Sequence, residues 1–470
     1  MAAQKSEALR HSDTAFLGHP RGLGWLAFAE GWERFSYYGM QSLLALYMTH
    51  QLLQPGHVEN VLGFIPFRAA VESFYGPLSP EAMASAIWGF YASVVYLTPI
   101  AGGFPADRFL GRTTTVTIGA SLMALGHFLM AFDASFLLAL LCLMLGVGCF
   151  KGNIAAQVGD LYPAGDPRRG DAFQIFLLGV QIAVIISPIV CSALATAYGW
   201  HYGFGAAGIG MLIGLSIYLS GRAWLPPEQK RLSVPRQQRR KLSSADYRVV
   251  FVLIALVPVL AIGSVGNQQI GDAYLIWADS SMDLTFFGMT VPTPWLVSLD
   301  AVLSTVTMVG TVAFWRWWGT RRTEPNEITK LTIGMFIAAC GPLALAAASA
   351  LSAATGDKVN IGWALVFELF NDIGFANIFP IGLALFSRAA PKSMEALMLG
   401  IYYTHLFIGN NLVGYLGGLL EKMSATNFWL LHAALIFAAG VIFLIVRSAA
   451  GRALAPTEED ESSEAIAAAN

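Results

Sequence analysis

Glu30, Glu33 and Arg34 stand within five residues of one another in an apolar stretch, FAEGWERFSYYG, and Lys151 stands in another, GCFKGN. An ionised side chain in the middle of a bilayer is costly unless it is paired or wetted. At 3.6 residues per turn Glu30 and Arg34 are i, i+4 neighbours and can pair. Tyr37, Tyr38 and Gln41 follow Arg34 at i+3, i+4 and i+7, so one helix face carries charges, then phenols, then an amide. Two chemistries fit these types. The four charges can be a buried network that only fixes helix packing, although buried ion pairs stabilise less than apolar packing. Alternatively they line a wetted site where a cation can bind a solute carboxylate in place of its acid. An acid released from its cation would then take up a proton, coupling protons to solute. Further on, Asp272, Asp300, Glu368 and Asp372 also lie in apolar segments. For Asp372 a local amide partner, Asn371 or Asn377, competes with a functional role.

The elements that must hold these residues are membrane helices. The chain has 470 residues, 56% hydrophobic and 12% charged, about half the charge of a soluble domain. Apolar runs long enough to cross about 30 Å of hydrocarbon recur throughout. They predict helices over 24–50, 83–105, 113–132, 135–158, 171–195 and 201–221, then 249–278, 293–315, 328–350, 360–386, 397–420 and 426–448. The predicted fold class is therefore all-α and polytopic, with twelve transmembrane helices. The predicted organisation is a segment 1–23, a six-helix bundle 24–221, a linker 222–248, a second bundle 249–448 and a disordered tail 449–470. The linker is the most basic stretch, with Arg222, Lys230, Arg231, Arg236, Arg239, Arg240, Lys241 and Arg248. With both termini in the cytoplasm the outer loops carry only Arg68, Lys358 and Lys422 as basic residues, which fixes the orientation. The loop from about 51 to 82 is then external. Two halves around a basic linker suggest a two-repeat transporter.

Other classes find little support. A net charge of −2 gives no reason to expect nucleic acid. Cys142, Cys149, Cys191 and Cys340 lie in apolar runs without C-x-x-C spacing and read as packing residues. No histidine grouping of the H-E-x-x-H kind suggests a metal or an enzyme; His127 and His405 stand alone in helices. No metal or cofactor is expected. The first 20 residues are polar, so the first membrane helix should act as its own uncleaved signal.

Segment 18–40, GHPRGLGWLAFAEGWERFSYYGM, resembles the proton-dependent oligopeptide transporter family of the major facilitator superfamily, whose E-x-x-E-R-F-x-Y-Y-G signature is matched from Glu30 to Gly39. YLTPIAGGFPADRFLGR, 96–112, is similar to the superfamily's loop between helices 2 and 3, and GVGCFKGNIAAQVGDLY, 146–162, to the family's helix 4. Weaker similarity continues through 171–190, 267–279 and 380–391. The resemblance implies the superfamily fold, alternating access, and proton-driven import of di- or tripeptides or peptide-like compounds. It implies a multi-pass protein of a bacterial inner membrane, acting as a monomer with a small solute and protons as its partners. It assigns Glu30, Glu33, Arg34 and Lys151 to proton coupling, with Arg34 and Lys151 also binding the peptide carboxylate. Tyr37, Tyr38 and Tyr96 would line the pocket, and Asp107, Arg108 and Arg112 would form a charge latch.

Departures concentrate in the site. Gln41 and Gln268 are amides where the family often has an arginine and a glutamate that can pair at a gate. Phe375 stands where the family's helix 10 glutamate receives the peptide's amino group. Asp372, one turn earlier, takes over that role, or no amine anchor exists and the solute is not an ordinary peptide. Asp300, Gln181 and Tyr402 also replace pocket residues of the family. The alternative is the same scaffold carrying a modified or non-peptide amine-bearing solute with altered coupling.

Overall fold

Segments apolar on every side have no face to turn to water, and each folds as a helix that satisfies its own backbone. The computed structural model describes residues 13–163, 166, 168–226, 244–286, 288–391 and 394–454. Its helices are α1 (Arg21–Tyr47), α2 (Phe64–Tyr75), α3 (Pro80–Pro105), α4 (Arg112–Leu129), α5 (Phe136–Asp160), α6 (Arg168–Tyr198), α7 (Trp200–Ser220), α8 (Ser244–Gly263), α9 (Val265–Gln268), α10 (Ala273–Ser281), α11 (Trp295–Gly319), α12 (Glu327–Thr355), α13 (Gly362–Ala389), α14 (Glu395–Gly417) and α15 (Ala425–Leu454). Twelve of these have eighteen or more residues, in line with the sequence reading. Among the described residues, nine helices are long and apolar enough by composition to cross a membrane. The long helices outside that set are α1, α4 and α14. Glu30, Glu33 and Arg34 lower the hydropathy of α1, and His405, Asn410 and Asn411 lower that of α14.

Helix ends follow local chemistry. The Ser79 hydroxyl accepts from the Ala82 amide at 3.2 Å, with Pro80 at the first position of α3. Asn326 does the same for α12 through the Thr329 amide at 3.0 Å, and Gly356, at φ +75°, ends that helix. Pro99, Pro188, Pro258, Pro342 and Pro380 all sit inside helices that continue through them.

Two expectations are corrected. The single helix predicted over 249–278 is three pieces, α8, α9 and α10, with a 3-10 turn at Gln269–Gly271 and Asp272 at φ −127°, ψ −112°. Side chains there compete with the helical ladder. The Ser264 hydroxyl donates to the Leu260 carbonyl at 2.9 Å, and Gln269 Oε1 accepts the Ala273 amide at 3.2 Å. The stretch read as a loop at 51–82 contains α2, set off by Gly63 and Gly76 at positive φ. Short strands add a parallel pair, β1 (Met282–Asp283) with β4 (Val359–Asn360). They also add an antiparallel pair, β2 (Thr285–Phe286) with β3 (Met289–Thr290).

The chain divides into two compact units, Met1–Val234 with Val291–Ala301, and Pro235–Thr290 with Val302–Asn470. In the first, α1 packs on α6 and α7, and α5 packs on α3 and α4. The α3–α5 approach is backbone to backbone: a Cβ on Gly102 would run into the Gly148 carbonyl oxygen. In the second, α12 packs on α13 and α15, and α14 on α8. The predicted basic residues Lys230 to Lys241 lie outside the described residues, as do the first twelve and the tail from 455. All four cysteines are free; Cys142 and Cys191 are buried, the other two half-buried.

Candidate functional site

In the first unit the charges of α1 hold one another. Arg34 Nε donates to Glu33 Oε2 at 2.5 Å and Nη2 donates to Glu33 Oε1 at 2.7 Å, a two-pronged contact. Arg34 Nε also lies 3.2 Å from Glu30 Oε1, the pairing that the i, i+4 spacing predicts. All three are buried, at 4%, 1% and 3% relative exposure for Glu30, Glu33 and Arg34, so their mutual attraction is poorly screened by water. The guanidinium carbon sits 5.1 Å from the centre of the Tyr37 ring, as a cation over a π face. Tyr37 meets Tyr38 edge-on at 5.1 Å and stacks on Tyr91 at 6.4 Å.

Lys151 arrives from α5, placed by the close α3–α5 contact. Its ammonium lies 5.3 Å from the ring centre of Tyr96 on α3. Among the described residues it forms no ion pair, yet it interacts electrostatically with Glu30, Glu33 and Arg34. The unit thus brings together Glu30, Glu33, Arg34, Tyr37 and Tyr38, with Lys151 and Tyr96 as a second pair. Gln41 and Gln181 are half-buried. Sequence reasoning missed Tyr91, which carries no charge and sits in no motif. Its hydroxyl and Glu30 Oε2 are buried without a hydrogen-bond partner among the described residues, so the site holds polar capacity not used by the protein.

At one end of this unit, Arg112 pairs with Asp160 at the end of α5. Arg108 is exposed and lies over the rings of Phe104 and Phe109. The Asp107 side chain lies outside the described residues, and the expected latch has Asp160 as the described acid that Arg112 meets. Asp160 was not foreseen, because it is 48 residues away in sequence.

The second unit distributes its polar groups differently. Glu368 and Asp372 are fully buried and one turn apart on α13. Asn371 Nδ2 donates to Asp372 Oδ1 at 3.2 Å. Asn377 is engaged elsewhere: it accepts from Trp315 Nε1 at 2.7 Å and donates to the Ile373 carbonyl at 2.8 Å. The Phe375 ring stacks on Phe379 at 5.4 Å. Tyr402, buried on α14, donates its hydroxyl to the Phe379 carbonyl at 2.5 Å. Gln268 donates to Asn267 Oδ1 at 3.2 Å. Asp300, half-buried near the start of α11, belongs to the first unit. A further pair was not legible in sequence. His432 Nδ1 donates to the Phe428 carbonyl at 2.9 Å, which leaves Nε2 of the neutral ring to accept from Gln269 Nε2 at 3.0 Å. This bond ties α15 to the broken α8–α10 stretch.

Comparison with known proteins follows the same lines. The family model described as the POT family matches residues 113–245 and 233–433. The peptide transporter YePEPT of Yersinia enterocolitica is 29% identical over 508 aligned residues, covering 92% of this chain and 94% of the relative. The di-/tripeptide transporter of Lactococcus lactis subsp. cremoris is 24% identical, covering 93% and 97%. Among solved structures, the peptide transporter POT in complex with sulfate superposes with a TM-score of 0.83 at 23% identity, over 96% of this chain and 99% of that one. A POT family transporter in complex with 5-aminolevulinic acid gives 0.75 at 22% identity, over 92% and 97%. These likenesses give the chain the transporters' fold. With the family model spanning more than half of its residues, the chain belongs to the POT family of multi-pass membrane transporters.

Proposed function

We propose that this protein is a proton-coupled symporter that imports di- or tripeptides, or peptide-like solutes, by alternating access. The observation that carries this reading is the buried Glu30–Glu33–Arg34 cluster with Lys151 beside it. Two carboxylates balance two cations. A solute carboxylate entering between Arg34 and Lys151 adds one negative charge, and a proton on one of the acids restores neutrality. Glu30 is the acid to which we assign that proton. Glu33 grips Arg34 through two bonds, whereas Glu30 meets it through one oxygen at 3.2 Å and has its other oxygen unbonded among the described residues. Release of the proton and re-formation of the Arg34 contact then eject the solute. Tyr37, Tyr38 and Tyr96 offer hydroxyls and ring faces to it. Gln41 and Gln268 take gating roles as neutral amides, and Asp372 takes the solute's ammonium group in place of the family's glutamate. The curated relatives named as peptide transporters support the substrate class. We assign the protein to a bacterial inner membrane with both termini cytoplasmic, as a monomer.

A second reading has its own support. Phe375 stands where an acid is expected, and a structural neighbour was solved with 5-aminolevulinic acid, an amine-bearing metabolite rather than a peptide. Uptake of labelled dialanine into proteoliposomes, with an inward-acid gradient and a negative-inside potential, separates the two. Accumulation abolished by Lys151→Ala supports peptide–proton symport. Exchange without accumulation means that peptide is carried uncoupled. No dialanine movement in folded protein favours the amine-bearing metabolite.

A further inference from the structure

Residues 314–322, FWRWWGTRR, close α11 with four aromatic side chains and three arginines. Of the nine helices able to span a membrane, α11 is the least buried. Val302, Val306, Val309, Ala313 and Trp317 recur at i, i+4, i+7, i+11 and i+15 and are all exposed, so they form one apolar stripe along the helix. Fifteen residues of helix rise about 22 Å, more than the roughly 15 Å of one leaflet's hydrocarbon. The stripe ends at Trp317, and the Arg321 guanidinium carbon sits 4.6 Å from that ring's centre. Arg322 lies 5.1 Å from the ring of Trp318. Trp315 is turned inward, anchored on Asn377 and covered by the Lys330 ammonium at 4.9 Å.

Among the described residues the charges at this corner are not balanced. Glu324 is taken by Lys330, and Glu327 by Arg388 at 2.7 Å. Among the described residues no carboxylate forms an ion pair with Arg316, Arg321 or Arg322, and all three are exposed. An apolar stripe that meets a ring and then guanidinium groups that no described carboxylate pairs is complementary to one kind of neighbour, an acyl chain ending in a phosphate.

We infer that the end of α11 is a binding site for a phospholipid with a net negative headgroup, of the phosphatidylglycerol kind. Its acyl chain lies along the stripe from Trp317 toward Val302 and its phosphate between Arg321 and Arg322. A zwitterionic headgroup carries its own cation and gains less from the three arginines.

The test uses the full chain in phosphatidylcholine vesicles that contain a small fraction of either brominated phosphatidylglycerol or brominated phosphatidylcholine. Subtracting the fluorescence of Trp317→Phe from that of the native chain isolates quenching of Trp317. The anionic brominated lipid should quench Trp317 at least about threefold more than the neutral one at equal fraction, an excess that salt weakens. Arg321→Gln with Arg322→Gln should remove the excess while the melting temperature stays unchanged; Arg321→Gln alone should halve it if the double variant does not fold. Arg222→Gln, which removes one positive charge elsewhere, should leave it intact. Equal quenching by both lipids in the native chain overturns the proposal. So does an excess that survives loss of Arg321 and Arg322, or one that Arg222→Gln removes equally.

Discussion

In the first unit, three charged side chains of α1 occupy little more than one turn and hold one another at 2.5 to 3.2 Å, with a fourth charge on α5 close enough to act on them. In the second unit, the buried acids Glu368 and Asp372 are also one turn apart, but the hydrogen bond seen at Asp372 comes from an amide, and the next turn is a stack of phenyl rings. One region is a charge-balanced cluster in which moving any ion disturbs the others. The other sets its buried acids among amides, a histidine and aromatic rings. In the proposed function, proton coupling falls to the first unit and selection of the solute's other end to the second.

Glu33→Gln is the strongest way to break this contrast. It leaves the Arg34 guanidinium buried and half-paired, so accumulation of dialanine should disappear, and stability should fall by about 3–5 kcal/mol. A melting curve beside an uptake assay reads both, and retained accumulation would show that the cluster is only a packing device. Next in size is Gln269→Leu in the second unit. It deprives His432 Nε2 and the Ala273 amide of their partners. A loss of about 1–3 kcal/mol in a chemical or thermal melt is expected. No loss would mean that the broken stretch does not depend on that bond. Smaller still is the effect of Asp372→Asn. The amide keeps an acceptor for Asn371, so the melt should barely move, while dialanine uptake should fall about tenfold, equal to about 1.4 kcal/mol of lost binding. Unchanged uptake would end the role assigned to Asp372.

Much of the fold was legible because a membrane helix must be apolar over its whole length, a signal that survives without tertiary information. The α1 cluster was legible for a related reason: its partners lie within five residues, so helical geometry alone brings them together. What the sequence hid lies at longer range. Nothing near Gln269 points to His432, 163 residues on, and nothing near Arg112 points to Asp160. The break after α8 was hidden for a different reason. Prolines suggest breaks, yet Pro258 lies within α8, and the interruption falls at Ser264, whose hydroxyl shares the Leu260 carbonyl with its own amide, and at Asp272, after which Gln269 Oε1 takes the Ala273 amide. Likewise α2 was read as loop because its mixed polarity gives no clean apolar run.

The proposed symport requires a proton to be taken up as the solute carboxylate reaches Arg34 and Lys151. Calorimetric titration of the purified protein with dialanine, in two buffers of different ionisation enthalpy, measures that proton directly. Uptake of about one proton per bound peptide is expected in the native chain and none in Glu30→Gln, with binding itself retained. Peptide binding without proton uptake in the native chain, or the same uptake in Glu30→Gln, would contradict it.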